Sequence, residues 1–182
     1  MKNDLSQILI SQERIDEITS ALAKKIEDDY KNSEKELVAV CILKGSLMFT
    51  SDLLRKISFP VSIEFMKVSS YGSGTVGSGI INIHLDLLRE DLSNADFIVV
   101  EDIIDSGRTL AHLQKYLADR GARSVKTCTL LDKPSRRVVN LTPDYCGAEI
   151  PDEFVVGFGL DYDEKYRNLP FIGTLKPEVY SK

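Results

Sequence analysis

The chain has 182 residues, with 23 Lys and Arg against 28 Asp and Glu, for a formal net charge of −5. Its length fits one domain able to bury its own core, and a content of 43% hydrophobic and 28% charged residues excludes a disordered chain. A sequence pI near 5.1 argues against a nucleic-acid module held by a broad basic surface, and it also looks awkward for an anionic small substrate.

In chain order, residues 12 to 29 read as a helix, because Ile15, Ile18, Leu22 and Ile26 recur every three or four positions. Ser11 is its expected N-cap. Leu37 to Leu43 is an unbroken apolar run, the pattern of a strand buried on both faces. Lys44-Gly45-Ser46 interrupts it, and Leu47, Leu53, Leu54 and Ile57 predict a helix before Pro60. Val61 to Phe65 alternates as a strand. This strand–helix–strand order predicts a parallel sheet. Residues 69 to 79 hold four glycines and predict a mobile loop, and Ile80 to Leu87 predicts a further strand. Phe97 to Val100 is a second core strand. A helix carrying Leu110, Leu113 and Leu117 follows it and ends near Gly121, and Val125 to Leu131 is one more strand. After Pro134 the pattern becomes short and irregular. The expectation is an α/β fold with a parallel central sheet flanked by helices. A single domain spans 1–182, with its core at about 12–133 and a small hood mostly at 134–182.

Cys41, Cys128 and Cys146 show no CxxC spacing and fit neither a disulfide framework nor a structural zinc site. His84 and His112 are too scattered for a metal site. The longest apolar run, Leu37 to Leu43, is far shorter than the ~20 residues of a membrane helix. No apolar signal core precedes Glu13-Arg14, so a cytoplasmic location is expected.

Gly72 to Gly77 matches GxGxxG, but the dinucleotide fingerprint needs a strand before it and a helix after it. Here a strand follows, so the match is read as accidental. The informative stretch is Phe97 to Leu110. Four apolar strand residues lead into Glu101 and Asp102; Asp105 follows three positions later, and Ser106, Gly107 and Thr109 open a helix. Ligands bind at such carboxyl ends of strands in α/β sheets. Small hydroxyl residues around a glycine at a helix start suit a phosphate. Two adjacent carboxylates suit a vicinal diol or a hard cation such as Mg²⁺. Singly, such residues also serve ordinary turns and caps; the whole order behind a core strand describes a ribose 5-phosphate site.

The segment Phe97 to Leu110, FIVVEDIIDSGRTL, resembles the phosphoribosyl pyrophosphate signature of the purine/pyrimidine (type I) phosphoribosyltransferase family. The resemblance runs from about Leu37 to Leu169 and narrows to the hypoxanthine(-guanine) phosphoribosyltransferases. It rests also on Leu43-Lys44-Gly45, Ser70-Tyr71, Leu131-Asp132-Lys133, the Phe154 to Gly157 segment, Leu160-Asp161-Tyr162 and Arg167. It implies purine salvage: phosphoribosyl pyrophosphate plus hypoxanthine or guanine gives IMP or GMP plus pyrophosphate, with Mg²⁺. Glu101 and Asp102 would hold the ribose hydroxyls, directly or through Mg²⁺, and Asp161 would also ligate the metal. Asp105, Ser106, Gly107, Arg108 and Thr109 would clamp the 5-phosphate. Asp105 would also take the purine N7 proton as general base. Lys133 can only donate, so it would select a 6-oxo group over a 6-amino group. Phe154 would stack on the base, and the Val155 backbone would read its 2-position edge. Arg167 and the Lys44–Gly45 peptide, cis in the family, would hold pyrophosphate. Ser70 and Tyr71 would anchor a loop that closes to exclude water. The family also implies a homodimer or homotetramer. Two rivals are a xanthine- or guanine-preferring enzyme and an RNA-binding regulator of the same superfamily; the acidic chain, Lys133 and Phe154 argue against the second, and neither nucleic acid nor membrane is expected as a partner.

Overall fold

Burial on both faces explains why the run from Leu37 to Leu43 is unbroken. The computed structural model describes residues 1–70 and 81–181. Its elements are β1 (Leu5–Ile10), α1 (Gln12–Tyr30), β2 (Glu36–Leu43), α2 (Leu47–Leu54), β3 (Ser62–Ser70), β4 (Ile81–Leu85) and β5 (Ala95–Ile104), then α3 (Arg108–Asp119), β6 (Ser124–Asp132), β7 (Tyr145–Glu149), β8 (Val155–Val156), β9 (Ile172–Leu175) and α4 (Pro177–Tyr180). Six strands form a sheet in the order β4-β3-β2-β5-β6-β7. Its pairs are parallel except for β4, which runs antiparallel to β3. Alternate residues of β2 serve opposite faces. Leu37 and Ala39 pack with Ile15, Ile18, Leu22 and Ile26 of α1. Val38, Val40 and Ile42 pack with Leu110, Leu113 and Leu117 of α3. Ser11 caps α1 as expected, its hydroxyl accepting from Arg14 N at 3.2 Å.

The α/β layering agrees with the sequence reading; several boundaries differ for physical reasons. α2 stops at Leu54 rather than Ile57, because the chain turns through Lys56 N–Leu53 O and Ile57 N–Leu54 O bonds before Pro60. β5 continues past Val100 to Ile104, held by pairing of Glu101 with Thr129 and Ile103 with Leu131, so the acid pair lies inside the strand. β4 is an antiparallel strand beside β3 that stops at Leu85 rather than Leu87.

The hood also differs from a C-terminal 134–182 unit. β7 joins the main sheet, from Cys128–Tyr145 to Asp132–Glu149. The hood sheet is β1-β9-β8, antiparallel, and draws its first strand from the N-terminal segment. Such pairings leave no local signature, since Ser6 Oγ meets Thr174 O across 168 positions. Of the loop expected at 69–79, Ser69 and Ser70 instead pair with β4 as the end of β3, and Tyr71 with the glycines that follow lies outside the described residues. No helix among the described residues is long and apolar enough to cross a membrane.

Leu113 is fully buried between α3 and the sheet, whereas Leu88 is 88% exposed. Leu113→Ala is expected to lower unfolding free energy by about 2–5 kcal/mol in urea titration. Leu88→Ala should change it by about 0.5 kcal/mol or less.

Candidate active site

The parallel strands β2, β5 and β6 bring their carboxyl ends to one side of the sheet, where chain crossings leave room for a ligand. A cavity of about 250 Å³ lies there, lined by residues 101–107 together with Thr109 and Leu110. Arg108 is exposed and does not line it.

Gly107 precedes α3 at φ +80°, and a Cβ there would lie 2.8 Å from Val139 Cγ2, so both conformation and space require glycine. The Ser106 hydroxyl accepts from Arg108 N at 3.4 Å, and the twelve-residue α3 directs its positive dipole end at the cavity. Behind the loop, Val138 N donates to Ser106 O at 3.1 Å, and Arg137 Nε donates to Asp105 O at 3.0 Å. Arg137 also pairs with buried Asp132.

Glu101 and Asp102 are both partly buried, and burial raises both carboxyl groups. Glu101 is pushed up to about 8, with the neighbouring Asp102 charge adding to the effect of burial. Asp102 rises to about 6: burial dominates, the Ile103 amide and Arg167 pull it down, and Asp161 pushes it up. Asp102 Oδ1 accepts from Ile103 N at 2.7 Å. Its other oxygen lies so close to Gly45 that a Cβ there would sit 1.7 Å from it. The connection after β2 is thus fixed by the absence of a side chain at Gly45. The cis peptide joins Leu43 to Lys44, one bond earlier than the Lys44–Gly45 position that the resemblance implied.

The hood reaches the same place through a second glycine. A Cβ at Gly159, where φ is +102°, would lie 2.0 Å from Gly45 O. Arg167 holds this turn, donating from Nη1 to Gly159 O at 2.8 Å while Gly159 N donates to Arg167 O at 2.9 Å. Arg167 Nη2 pairs with Asp161 Oδ1 at 2.9 Å and Glu164 Oε1 at 3.2 Å. The second Asp161 oxygen accepts from Glu164 N at 2.9 Å. Among the described residues no three His, Cys, Asp or Glu side chains converge as a metal cage. The acids form a pair on β5, with Asp161 set apart in the hood.

Lys133, at the end of β6, is buried, and its Nζ donates to Glu153 O at 2.7 Å. Burial lowers its pKa, while the Asp105 and Asp152 charges oppose that shift. Asp105 is exposed and pairs with Arg136 Nε at 3.1 Å; Arg136 Nη1 meets Asp152 Oδ1 at 3.2 Å. Phe154 is 38% exposed, stacked on Tyr180 with centroids 4.9 Å apart and edge-on to Tyr162 at 5.6 Å. Val155 is buried in the hood strand beside it. Ser70 ends β3.

Sequence reasoning missed Arg136, Arg137, Asp152, Glu164 and Tyr180. The Arg136-Arg137 doublet after Pro134 was the one local signal, and nothing in it revealed a partner as distant as Asp105.

Similarity to known proteins agrees with this geometry. The family described as phosphoribosyl transferase domain matches residues 4–163. A relative, the hypoxanthine-guanine phosphoribosyltransferase of Staphylococcus aureus strain Mu50, is 49% identical over 181 residues, covering 100% of this chain and 99% of its own. A solved hypoxanthine phosphoribosyltransferase from Staphylococcus aureus superposes with TM-score 0.94 at 49% identity, covering 100% of this chain and 97% of that one. A Bacillus anthracis hypoxanthine-guanine phosphoribosyltransferase with HEPES in its active site superposes at 0.88 and 45% identity, covering 94% and 99%. The chain therefore belongs to the phosphoribosyl transferase domain family, within the group of hypoxanthine-guanine phosphoribosyltransferases.

Proposed function

We propose that the chain transfers the 5-phosphoribosyl group of phosphoribosyl pyrophosphate to N9 of hypoxanthine or guanine, releasing IMP or GMP and pyrophosphate. The observation that carries this reading is that an acid pair and a glycine-opened helix start line one cavity. The loop from Asp105 to Thr109 would take the 5-phosphate, and Glu101 and Asp102 the ribose. Asp105, freed from Arg136, would accept the N7 proton. The buried Lys133 ammonium would donate to the 6-oxo group, and the exposed Phe154 face would stack on the base next to the Val155 backbone. Lys44, Gly45 and Arg167 would hold pyrophosphate.

Two carboxylates raised by burial suit a hard divalent ion, which commonly binds one or two carboxylates plus phosphate oxygens. Mg²⁺ would therefore be held by Glu101 and Asp102. Asp161 would join only by giving up Arg167 or the Glu164 amide. Bound there, the ion would supply positive charge to the departing pyrophosphate. Three free thiols fit a reducing cytoplasm.

Assembly into a homodimer or homotetramer is supported by an uncovered apolar face. Leu47, Met48, Ile63 and Phe65 are each at least 40% exposed; Leu47, Ile63 and Phe65 line a groove of about 390 Å³ between α2 and β3 that shares no lining residue with the active cavity. Sedimentation should give two or four times the 20.4 kDa chain, and Phe65→Lys should yield monomer. A monomeric wild-type chain would overturn the assembly.

Turnover with phosphoribosyl pyrophosphate and Mg²⁺ tests the activity, with hypoxanthine, guanine, xanthine, adenine and uracil supplied in parallel. Hypoxanthine or guanine should react; reaction of adenine or uracil alone refutes the assignment. In the same assay Asp105→Asn should lower kcat by about 10²–10⁴-fold while phosphoribosyl pyrophosphate still binds.

A raised carboxyl pKa means that the folded state holds the proton more tightly than the unfolded one. Its stabilising share is complete below the ordinary glutamate value of 4.5 and is lost as pH rises through about 8. Metal-free protein should thus lose stability between pH 5 and 8, and Glu101→Gln should flatten that decline in urea titrations at the two pH values.

A further inference from the structure

The turn between Tyr162 and Lys165 is unusual in its residues. Tyr162 N donates to Lys165 O at 3.3 Å, and Lys165 N donates back to Tyr162 O at 3.0 Å. The two residues enclosed, Asp163 and Glu164, stand at φ +52° and +60°. Tight turns with two left-handed positions favour Asn, Asp or Gly. A glutamate there is uncommon, and a non-glycine residue held in this region invites a functional explanation.

The turn delivers the Glu164 carboxylate onto two cations. Oε2 meets Lys44 Nζ at 2.8 Å, and Oε1 meets Arg167 Nη2 at 3.2 Å. Lys44 comes from the β2–α2 connection, and Arg167 and Glu164 from the hood, so one side chain bridges both walls of the site. The side chain is 64% exposed and is not packed in place by the core. Lys44 and Arg167 are the cations assigned above to pyrophosphate, and this inference rests on that reading. Their charge is met by an internal carboxylate of the same sign as the ligand.

We propose that Glu164 is a resident competitor for the pyrophosphate subsite: its carboxylate occupies Lys44 and Arg167, must be displaced when pyrophosphate binds, and so weakens retention of that product. It acts through the two cations and is a positioning residue. Displacement of an exposed pair costs little, which leaves the substrate able to enter and the product able to leave.

The test uses the full chain with Mg²⁺ and inorganic pyrophosphate as product inhibitor. Glu164→Gln keeps the side-chain length and removes the charge. It should tighten inhibition about two- to fivefold, lower the KM for phosphoribosyl pyrophosphate in parallel, and leave the KM for hypoxanthine unchanged. The gain should shrink in high salt, which screens exposed charges. Glu164→Asn, whose side chain accepts the left-handed backbone readily, should behave alike if the Gln variant folds poorly. Unchanged or weakened inhibition would show that Glu164 does not compete, weakened inhibition meaning that it supports Lys44 instead. Lys44→Ala separates the two layers. Should it leave pyrophosphate affinity unchanged, the pyrophosphate assignment falls and this inference with it. Should it weaken pyrophosphate while Glu164→Gln does not tighten it, the competition alone is refuted.

Discussion

Placing two carboxylates side by side in the partly buried end of a sheet is costly unless a cation or donor meets them, and Glu101 and Asp102 impose that cost on everything around them. Asp102 occupies the space a side chain at position 45 would need, so the chain leaving β2 passes as glycine. The carbonyl of that glycine occupies the space above Gly159, so the hood also approaches as bare backbone. Arg167 then ties the hood turn to Gly159 and contributes positive charge felt by Asp102. The contact between sheet and hood is built outward from one strand end, and two glycines without side chains are the condition for it.

A net charge of −5 gave a poor guide to the ligand. In the proposed reading phosphates would be met locally, by amides at a helix start and by a few cations, and none of these requires a basic protein. Much of the acidity near the cavity is itself part of the site. Asp132 and Asp152 are spent on positioning Arg137 and Arg136, and Asp161 on holding Arg167. Charge counts describe the long-range field, which bears on nucleic acid; they say little about a cavity of about 250 Å³.

The legible part of the chain was the part whose physics is local. Helix α1 follows from the spacing of Ile15, Ile18, Leu22 and Ile26, and β2 from a continuous apolar run. The strand–loop–helix turn at Asp105 to Thr109 followed from Gly107 and its hydroxyl neighbours behind a core strand. Pairing beyond the local pattern was not legible. Nothing in Tyr145 to Glu149 says that it extends the main sheet, and nothing in Leu5 to Ile10 says that it closes the hood. In the site, Lys133 and Phe154 were reached by resemblance alone, since a lysine before proline and a phenylalanine before two valines look ordinary. Glu164 gave no signal, because its meaning lies in a left-handed turn and a lysine 120 positions away.

The antiparallel pairing of β1 with β9 sets an order of events during folding. Closing a loop of this length earns no contact until both strands exist, whereas β2, α2, β3 and β5 lie close in sequence and can associate early. During synthesis the six-stranded sheet can be nearly complete while β1 still waits for a partner. The Asp105 to Thr109 loop would then be in place before the hood segment carrying Phe154 and Arg167 is anchored. In a nascent chain the part of the site proposed for the sugar phosphate would precede the part proposed for the base, which waits on the pairing of β1 with β9.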